Sequence, residues 1–306
     1  MSRLFGIAGV QMSVIPWDKE ATLSKMLDAV SQVSLNFPWV QMVIFHELAL
    51  PGMVQLVSAE NPNSWKENAE PIPGPSTKRF CEIARRTKKW ILPGSIYEKE
   101  SNEYYNTAVV ISPEGKIVAK YRKMFPWLPY ESTIDAGEEF CVFDIPDIGR
   151  FGVSICYDLW FPEVARTLAW MGAEVILQPT MTPTSDRAQE LVMMQANAIF
   201  NQCHLVSING IGPYGGGRSL IVDPDGRVLQ QAGDHETILT ETLDLNHVTR
   251  TREYGTLGLS QILKQLRDSN LVFPPYQDGK MKTGSFADLG PLAYHRDLQS
   301  VFAKKE

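Results

Sequence analysis

Two halves of this 306-residue chain spell out the same order of elements. In the first half, an apolar run at 4–12 predicts a strand, and Asp18 caps a helix running to about residue 36. A second apolar strand follows at 40–45, then a polar, proline-dotted loop over 48–75. Ser76 or Thr77 opens a helix to about residue 89, and 90–97 reads as a strand. Segments 105–112 and 116–121 form a hairpin around Pro113-Glu114-Gly115. The second half repeats this with strand 151–155, helix 162–171, strand 174–178, helix 185–201 and strand 204–209. Its hairpin, 219–223 and 227–230, turns on Pro224-Asp225-Gly226. No close sequence repeat accompanies the recurring order. Two sheets, each carrying two helices on one face, pack sheet against sheet as an α/β fold: a four-layer α-β-β-α sandwich of pseudo-twofold halves. The nearly continuous apolarity of the strands suits sheets covered on both faces. A strand at 238–243 and a short helix at 245–252 follow. The sandwich is expected to span residues 1–269, with 270–306, rich in Pro, Gly and polar residues, as a C-terminal extension.

Composition narrows the function. A net charge of −6 and the lack of any Lys/Arg run argue against nucleic acid as a partner; Lys88-Lys89 and Lys304-Lys305 are pairs, not patches. No apolar stretch approaches a membrane span, and the N-terminus reads as a strand without a signal-peptide core. The four cysteines (Cys81, Cys141, Cys156, Cys203) are scattered, against a disulfide framework or zinc site. Histidines 46, 204, 235, 247 and 295 show no metal-ligand spacing. A reduced, cytoplasmic setting is expected.

The chemistry gathers at strand ends. Residues 150–163 run from a buried strand into Cys156, then a short turn, then Pro162 at the first position of a helix, where its missing N–H costs nothing. A thiol there meets backbone N–H groups and the positive end of a helix dipole. Glu47 follows the strand Val-Ile-Phe-His, and Lys123 follows Ala-Lys-Tyr-Arg. Alone, each is a buried cysteine or a surface charge; together they suffice to hydrolyse an unactivated C–N bond. The thiolate attacks the carbonyl carbon, and the carboxylate carries the thiol proton to departing ammonia, then activates water. The Lys123 ammonium and the Tyr157 N–H hold the oxyanion, each donor typically worth about 2.7–4 kcal/mol.

The segments Phe-His-Glu-Leu-Ala-Leu-Pro-Gly, Tyr-Arg-Lys-Met-Phe-Pro-Trp and Ile-Cys-Tyr-Asp-Leu-Trp-Phe-Pro-Glu resemble the three signature regions of the nitrilase superfamily. The resemblance covers roughly residues 4–250. It implies carbon–nitrogen hydrolysis with Glu47 as general base, Lys123 as oxyanion stabiliser and Cys156 as nucleophile. It also implies the sandwich fold, and a homodimer or higher homo-oligomer built through the helices after the nucleophile. Pro126-Trp127-Leu128-Pro129-Tyr130-Glu131 is similar to the segment after the lysine in aliphatic amidases and formamidases, and gives Glu131 a role in positioning the substrate amide. The chain also departs from the pattern. His46 stands where relatives commonly have proline, and Tyr157-Asp158-Leu159 replaces the acidic residue and Asp-Gly usual in aliphatic amidases. Trp160 occupies a place where the broader superfamily often has arginine, which disfavours a substrate carboxylate nearby. Trp127, Tyr130, Tyr157, Trp160 and Phe161 are candidates to line an apolar pocket.

Other signals carry less. Gly152-Val-Ser154-Ile-Cys156 starts like a serine-hydrolase elbow but lacks the final glycine, and Ser154 is expected inside the strand. His46 is expected to point away from Glu47, against a Cys–His dyad. Gly212 to Arg218 is glycine-rich but precedes a strand and lacks Gly-Lys-Ser/Thr. The reading is a cofactor-free, metal-free thiol amidohydrolase of a small, uncharged amide. A nitrilase or N-carbamoyl amine hydrolase on the same triad is the alternative, and a silent binding scaffold the rival of another class.

Overall fold

The structure, a computed structural model, describes residues 2–50, 64–128, 130–212 and 215–276. Along the first half come β1 (Leu4–Gln11), α1 (Lys19–Asn36), β2 (Met42–Phe45), α2 (Pro75–Thr87), β3 (Trp90–Leu92), β4 (Ser95–Glu100), β5 (Glu103–Ile111) and β6 (Ile117–Arg122). The second half supplies β7 (Cys141–Ile145), β8 (Gly149–Val153), α3 (Pro162–Trp170), β9 (Val175–Thr180), α4 (Arg187–Asn201), β10 (His204–Asn209), β11 (Leu220–Val222) and β12 (Val228–Gln231). Then follow β13 (Thr237–Asp244) and α5 (Leu245–Tyr254).

One sheet has the order β13-β1-β2-β3-β5-β4, with β6 also paired to β5; the other runs β12-β11-β10-β9-β8-β7. β1, β2 and β3 are parallel, as are β8, β9 and β10. Each parallel trio has an antiparallel strand on its first member, β13 or β7. Each has an antiparallel hairpin on its last, β5–β6 or β11–β12. The halves therefore match element for element, apart from β4.

Alternation along the strands builds the layers. Phe5 and Ile7 of β1 and Met42 and Ile44 of β2 share one core with Phe151, Val153, Val175, Leu177 and Val206 of the other sheet. The intervening Ala8, Val10, Val43 and Phe45 pack with Leu23, Met26 and Val30 of α1 and Phe80 and Ile83 of α2. Leu168 of α3 and Leu191, Met194 and Ala198 of α4 cover the opposite sheet. The four-layer sandwich expected from the sequence is what forms. Gly9 lets the sheets close: a Cβ there would sit 2.1 Å from Ile208 Cδ1.

Two strands depart from expectation. Segment 90–97 is not one strand; it breaks at Pro93-Gly94, and β4 folds back on β5. Gly94 adopts φ +79°, and a Cβ on it would lie 1.8 Å from the His46 carbonyl oxygen, so the break makes room for the backbone that leads to Glu47. β7 adds an antiparallel partner to β8 that the sequence reading missed. The stretch read as loop over 48–75 contains a 3₁₀ turn at Ser64–Asn68; positions 51–63 lie outside the described residues.

Residues to Gln261 form one compact unit, and those from Ile262 a second, which begins with α6 (Ile262–Asp268). The extension expected from 270 starts inside that second unit, and from 277 lies outside the described residues. No described helix is long and apolar enough to cross a membrane.

Candidate active site

Cys156 stands three residues past β8 and opens a single 3₁₀ turn, Cys156–Trp160, before Pro162 starts α3. Its φ of +47° is left-handed, a conformation that costs an ordinary residue roughly 1–2 kcal/mol. The turn is held by Asp158, which is fully buried. That carboxylate accepts from the Ile155 N–H at 2.9 Å, the Phe125 N–H at 2.9 Å, the Met124 N–H at 3.2 Å and the Tyr121 hydroxyl at 2.7 Å. Burial pushes the Asp158 carboxyl up to about 6, against the pull of Lys123 and these donors. Gln178 donates to the Cys156 carbonyl at 2.8 Å. One aspartate thus ties the cysteine turn to the segment that follows Lys123.

The ionisable groups expected at the strand ends converge. Glu47 lies just past β2, Lys123 just past β6, and both are about 2% exposed. Lys123 Nζ donates to Glu47 Oε1 at 2.9 Å and to Glu131 Oε2 at 2.6 Å. Glu131 is equally buried and also accepts from the Trp127 N–H at 2.5 Å. Asn106 of β5, which sequence reasoning passed over, completes the cluster. Its side-chain amide donates to Glu47 Oε1 at 2.8 Å and to Glu131 Oε1 at 2.9 Å, while its backbone carbonyl accepts Lys123's backbone N–H at 2.9 Å. The only hint in the sequence was a polar residue inside an apolar strand.

Two carboxylates and one ammonium share this buried site, and their fields set the protonation states. Burial works against the Lys123 ammonium, yet Glu131 and Glu47 outweigh it and hold Lys123 well above its ordinary value. Burial raises Glu47; Lys123 opposes that, Glu131 adds to it, and a hydrogen bond from Cys156 draws it down again. Burial and then the Glu47 carboxylate push the Cys156 thiol well up, with Lys123 opposing. Burial and the Glu47 carboxylate thus favour the neutral thiol of Cys156 over its thiolate.

Two cavities meet at Cys156. One, of about 230 Å³, is lined by Glu47, Lys123, Glu131 and Cys156, with Trp127 and Met181 on its wall. The other, of about 260 Å³, shares Trp127, Cys156 and Met181 and adds Tyr157, Trp160 and Thr182. Thr182 Oγ1 is 3.8 Å from Cys156 Sγ and donates to Glu190 Oε1 at 2.9 Å. Trp160 Nε1 lies 3.4 Å from the same oxygen, and Arg187 pairs with Glu190 Oε2 at 2.9 Å. Of the five candidate aromatics, Trp127, Tyr157 and Trp160 line the cavities. Phe161 instead stacks on Phe125 at 3.6 Å, and Tyr130 stacks on Trp127 at 4.6 Å.

His46 turns away, as expected: its Nδ1 meets the Glu47 carbonyl at 2.8 Å, and burial lowers it to about 4. Ser154 falls one residue past β8 rather than inside it. Among the described residues, Asp223, Asp225 and His247 bring ligand-type atoms within 4.8 Å of one another, on the second hairpin and α5. Their bonds already serve that turn: Asp223 accepts from the N–H groups of Asp225 and Arg227, and Asp225 pairs with His247 at 2.9 Å.

Residues 6–253 match the carbon-nitrogen hydrolase family. The chain belongs to that family. Within it, the chain is 31% identical over 214 residues to an omega-amidase, NIT2, of Mus musculus, covering 65% of this chain and 75% of that protein. A formamidase of Bacillus cereus is 31% identical over 225 residues, covering 70% and 64% respectively. The crystal structure of Saccharomyces cerevisiae Nit3, from the nitrilase superfamily, matches with a TM-score of 0.73 at 26% identity, covering 82% of this chain and 94% of Nit3. The nitrilase-superfamily resemblance and its amidase-like branch both stand, and the chain is a carbon–nitrogen hydrolase.

Proposed function

We propose that Cys156 attacks the carbonyl carbon of a small, uncharged amide, and that a carboxylic acid and ammonia leave by way of a cysteine thioester. The observation that carries this is the buried Glu47–Lys123–Glu131 cluster in a cavity that Cys156 also lines. Glu47 takes the thiol proton as the S–C bond forms, and delivers it to the amide nitrogen as the C–N bond breaks. Lys123, kept cationic by its two carboxylates, holds the oxyanion with the Tyr157 N–H. Glu47 then takes a proton from water, whose oxygen displaces the sulfur, and returns that proton to the departing Cys156 thiolate. Glu131 and Asn106 fix the lysine and the base, and Glu131 accepts from the substrate amide. The space beside Cys156 is walled closely by Trp127, Tyr157, Trp160 and Met181, which favours short acyl groups. The missing arginine at Trp160 and the tryptophan's place on the cavity wall favour substrates without a carboxylate.

The chain is further proposed to act as a homodimer or larger homo-oligomer in a reduced, cytoplasmic setting. Exposed Trp170 of α3 and exposed Val192 and Phe200 of α4 favour burial against a second copy, and all four cysteines are free. The test of function is ammonia release from a panel of short aliphatic amides, ω-amides, carbamoyl amines and nitriles, with Cys156→Ala as control. Release from small neutral amides, lost in a mutant whose melting temperature stays within a few degrees, is the expected result. Release from nitriles or carbamoyl compounds alone overturns the amide preference, and turnover by Cys156→Ala overturns the mechanism.

A further inference from the structure

Among the described residues, the larger cavity beside Cys156 has two carboxylates in its lining, Asp186 and Glu190, and no lysine, arginine or histidine. The two differ in their surroundings. Glu190 is buried, paired with Arg187 at 2.9 Å, and takes hydrogen bonds from Thr182 and Trp160, so its charge is matched within the protein. Asp186 is half-buried at the start of α4 and takes a hydrogen bond from the Thr184 hydroxyl. Among the described residues no cation pairs with it. Among the described residues, this cavity therefore carries one carboxylate, at the N-cap of α4, that no side-chain cation pairs.

We propose that Asp186 is a specificity-determining residue, favouring amides whose far end carries a protonated amine over amides whose far end is a carboxylate. The proposal rests on the amidase reading and extends its substrates from uncharged amides to amides whose far end is cationic. An anionic tail entering this cavity would lose hydration beside two carboxylates with no cation to receive it. A protonated amine would find at Asp186 the counter-charge that the protein leaves unmatched, and an apolar tail would lie on Trp127 and Trp160 without gain or penalty from the charge. Because Asp186 is partly open to solvent, the discrimination is screened by salt.

The test compares kcat/KM for three amides of matched length: valeramide, γ-aminobutyramide and succinamate. The wild type is expected to rank γ-aminobutyramide above valeramide and valeramide above succinamate. Asp186→Asn, which removes the charge but keeps the size, is expected to lower the cation-to-anion ratio about tenfold. Asp186→Glu should retain the ranking, and added salt should compress the ratio in the wild type more than in Asp186→Asn. An unchanged ratio in a folded Asp186→Asn enzyme, or a wild type that prefers succinamate, overturns the assignment while leaving the amidase intact. Absence of Cys156-dependent ammonia release from all three overturns the amidase reading, and this proposal with it.

Discussion

Asn106 shows how much a neutral side chain can matter at a charged site. With one amide group it bonds both carboxylates that flank Lys123. Asn106→Leu would leave those carboxylates short of a donor in a buried setting, where each such bond to a charged group is worth roughly 1.5–3 kcal/mol. We expect kcat to fall about 10- to 100-fold with a smaller change in KM; near-wild-type kcat in a folded variant would show that the amide is dispensable. His46 makes a different prediction, about stability. Its folded pKa lies near 4 against an ordinary value of 6.5. Between those values the unfolded chain binds a proton that the folded chain refuses. Stability is therefore lost as pH falls from 6.5 towards 4, by roughly 3 kcal/mol for this group. Urea unfolding of wild type and His46→Gln across that range should show the variant with the shallower decline; parallel declines would remove His46 as the cause.

Among the elements, the turn from β8 into α3 depends on a long-range anchor. Asp158 collects four donors from two segments, so Asp158→Ala would leave buried N–H groups unpaired on both sides. A loss of about 3–5 kcal/mol is expected, with kcat falling as the Cys156 turn and the lysine segment lose register. An Asp158→Ala protein with normal melting and rate would mean the two segments hold themselves. The same elements show what a sequence reader can see. Strands 4–12 and 40–45 and the helices were legible because apolar spacing is local; Glu47, Lys123 and Cys156 stood out because their chemistry is conspicuous at strand ends, and Glu131 only through the resemblance of its segment to aliphatic amidases and formamidases. β7 was not, because its exposed face carries Asp144, paired with Arg150, so it never reads as an apolar run. The break at Gly94 was invisible because its cause, the His46 backbone, lies in another strand. Asn106 and Asp158 gain their meaning only from partners distant in sequence, as with Asn106 and Glu47, 59 residues apart.

Across the whole molecule, the site is split between the two sheets. Glu47, Asn106, Lys123 and Glu131 belong to or follow strands of the first sheet, whereas Cys156, Thr182 and Glu190 follow or cover strands of the second. Polar links cross the gap, those from the Tyr121 hydroxyl and the Met124 and Phe125 N–H groups to Asp158 among them. The Glu47 N–H reaches the Thr180 carbonyl at 3.2 Å, Ser219 donates through its hydroxyl to Gln11 at 2.8 Å, and Arg3 pairs with Glu174 at 2.8 Å. Most of what holds the sheets together is apolar and non-directional, able to tolerate a small slide that thiol-to-carboxylate proton transfer does not. Turnover should therefore vanish at lower urea than far-ultraviolet ellipticity does, and coincident midpoints would show that docking and folding are a single event. Turnover in this protein works as a strain gauge, reading the alignment of two layers whose own secondary structure would not betray a slip.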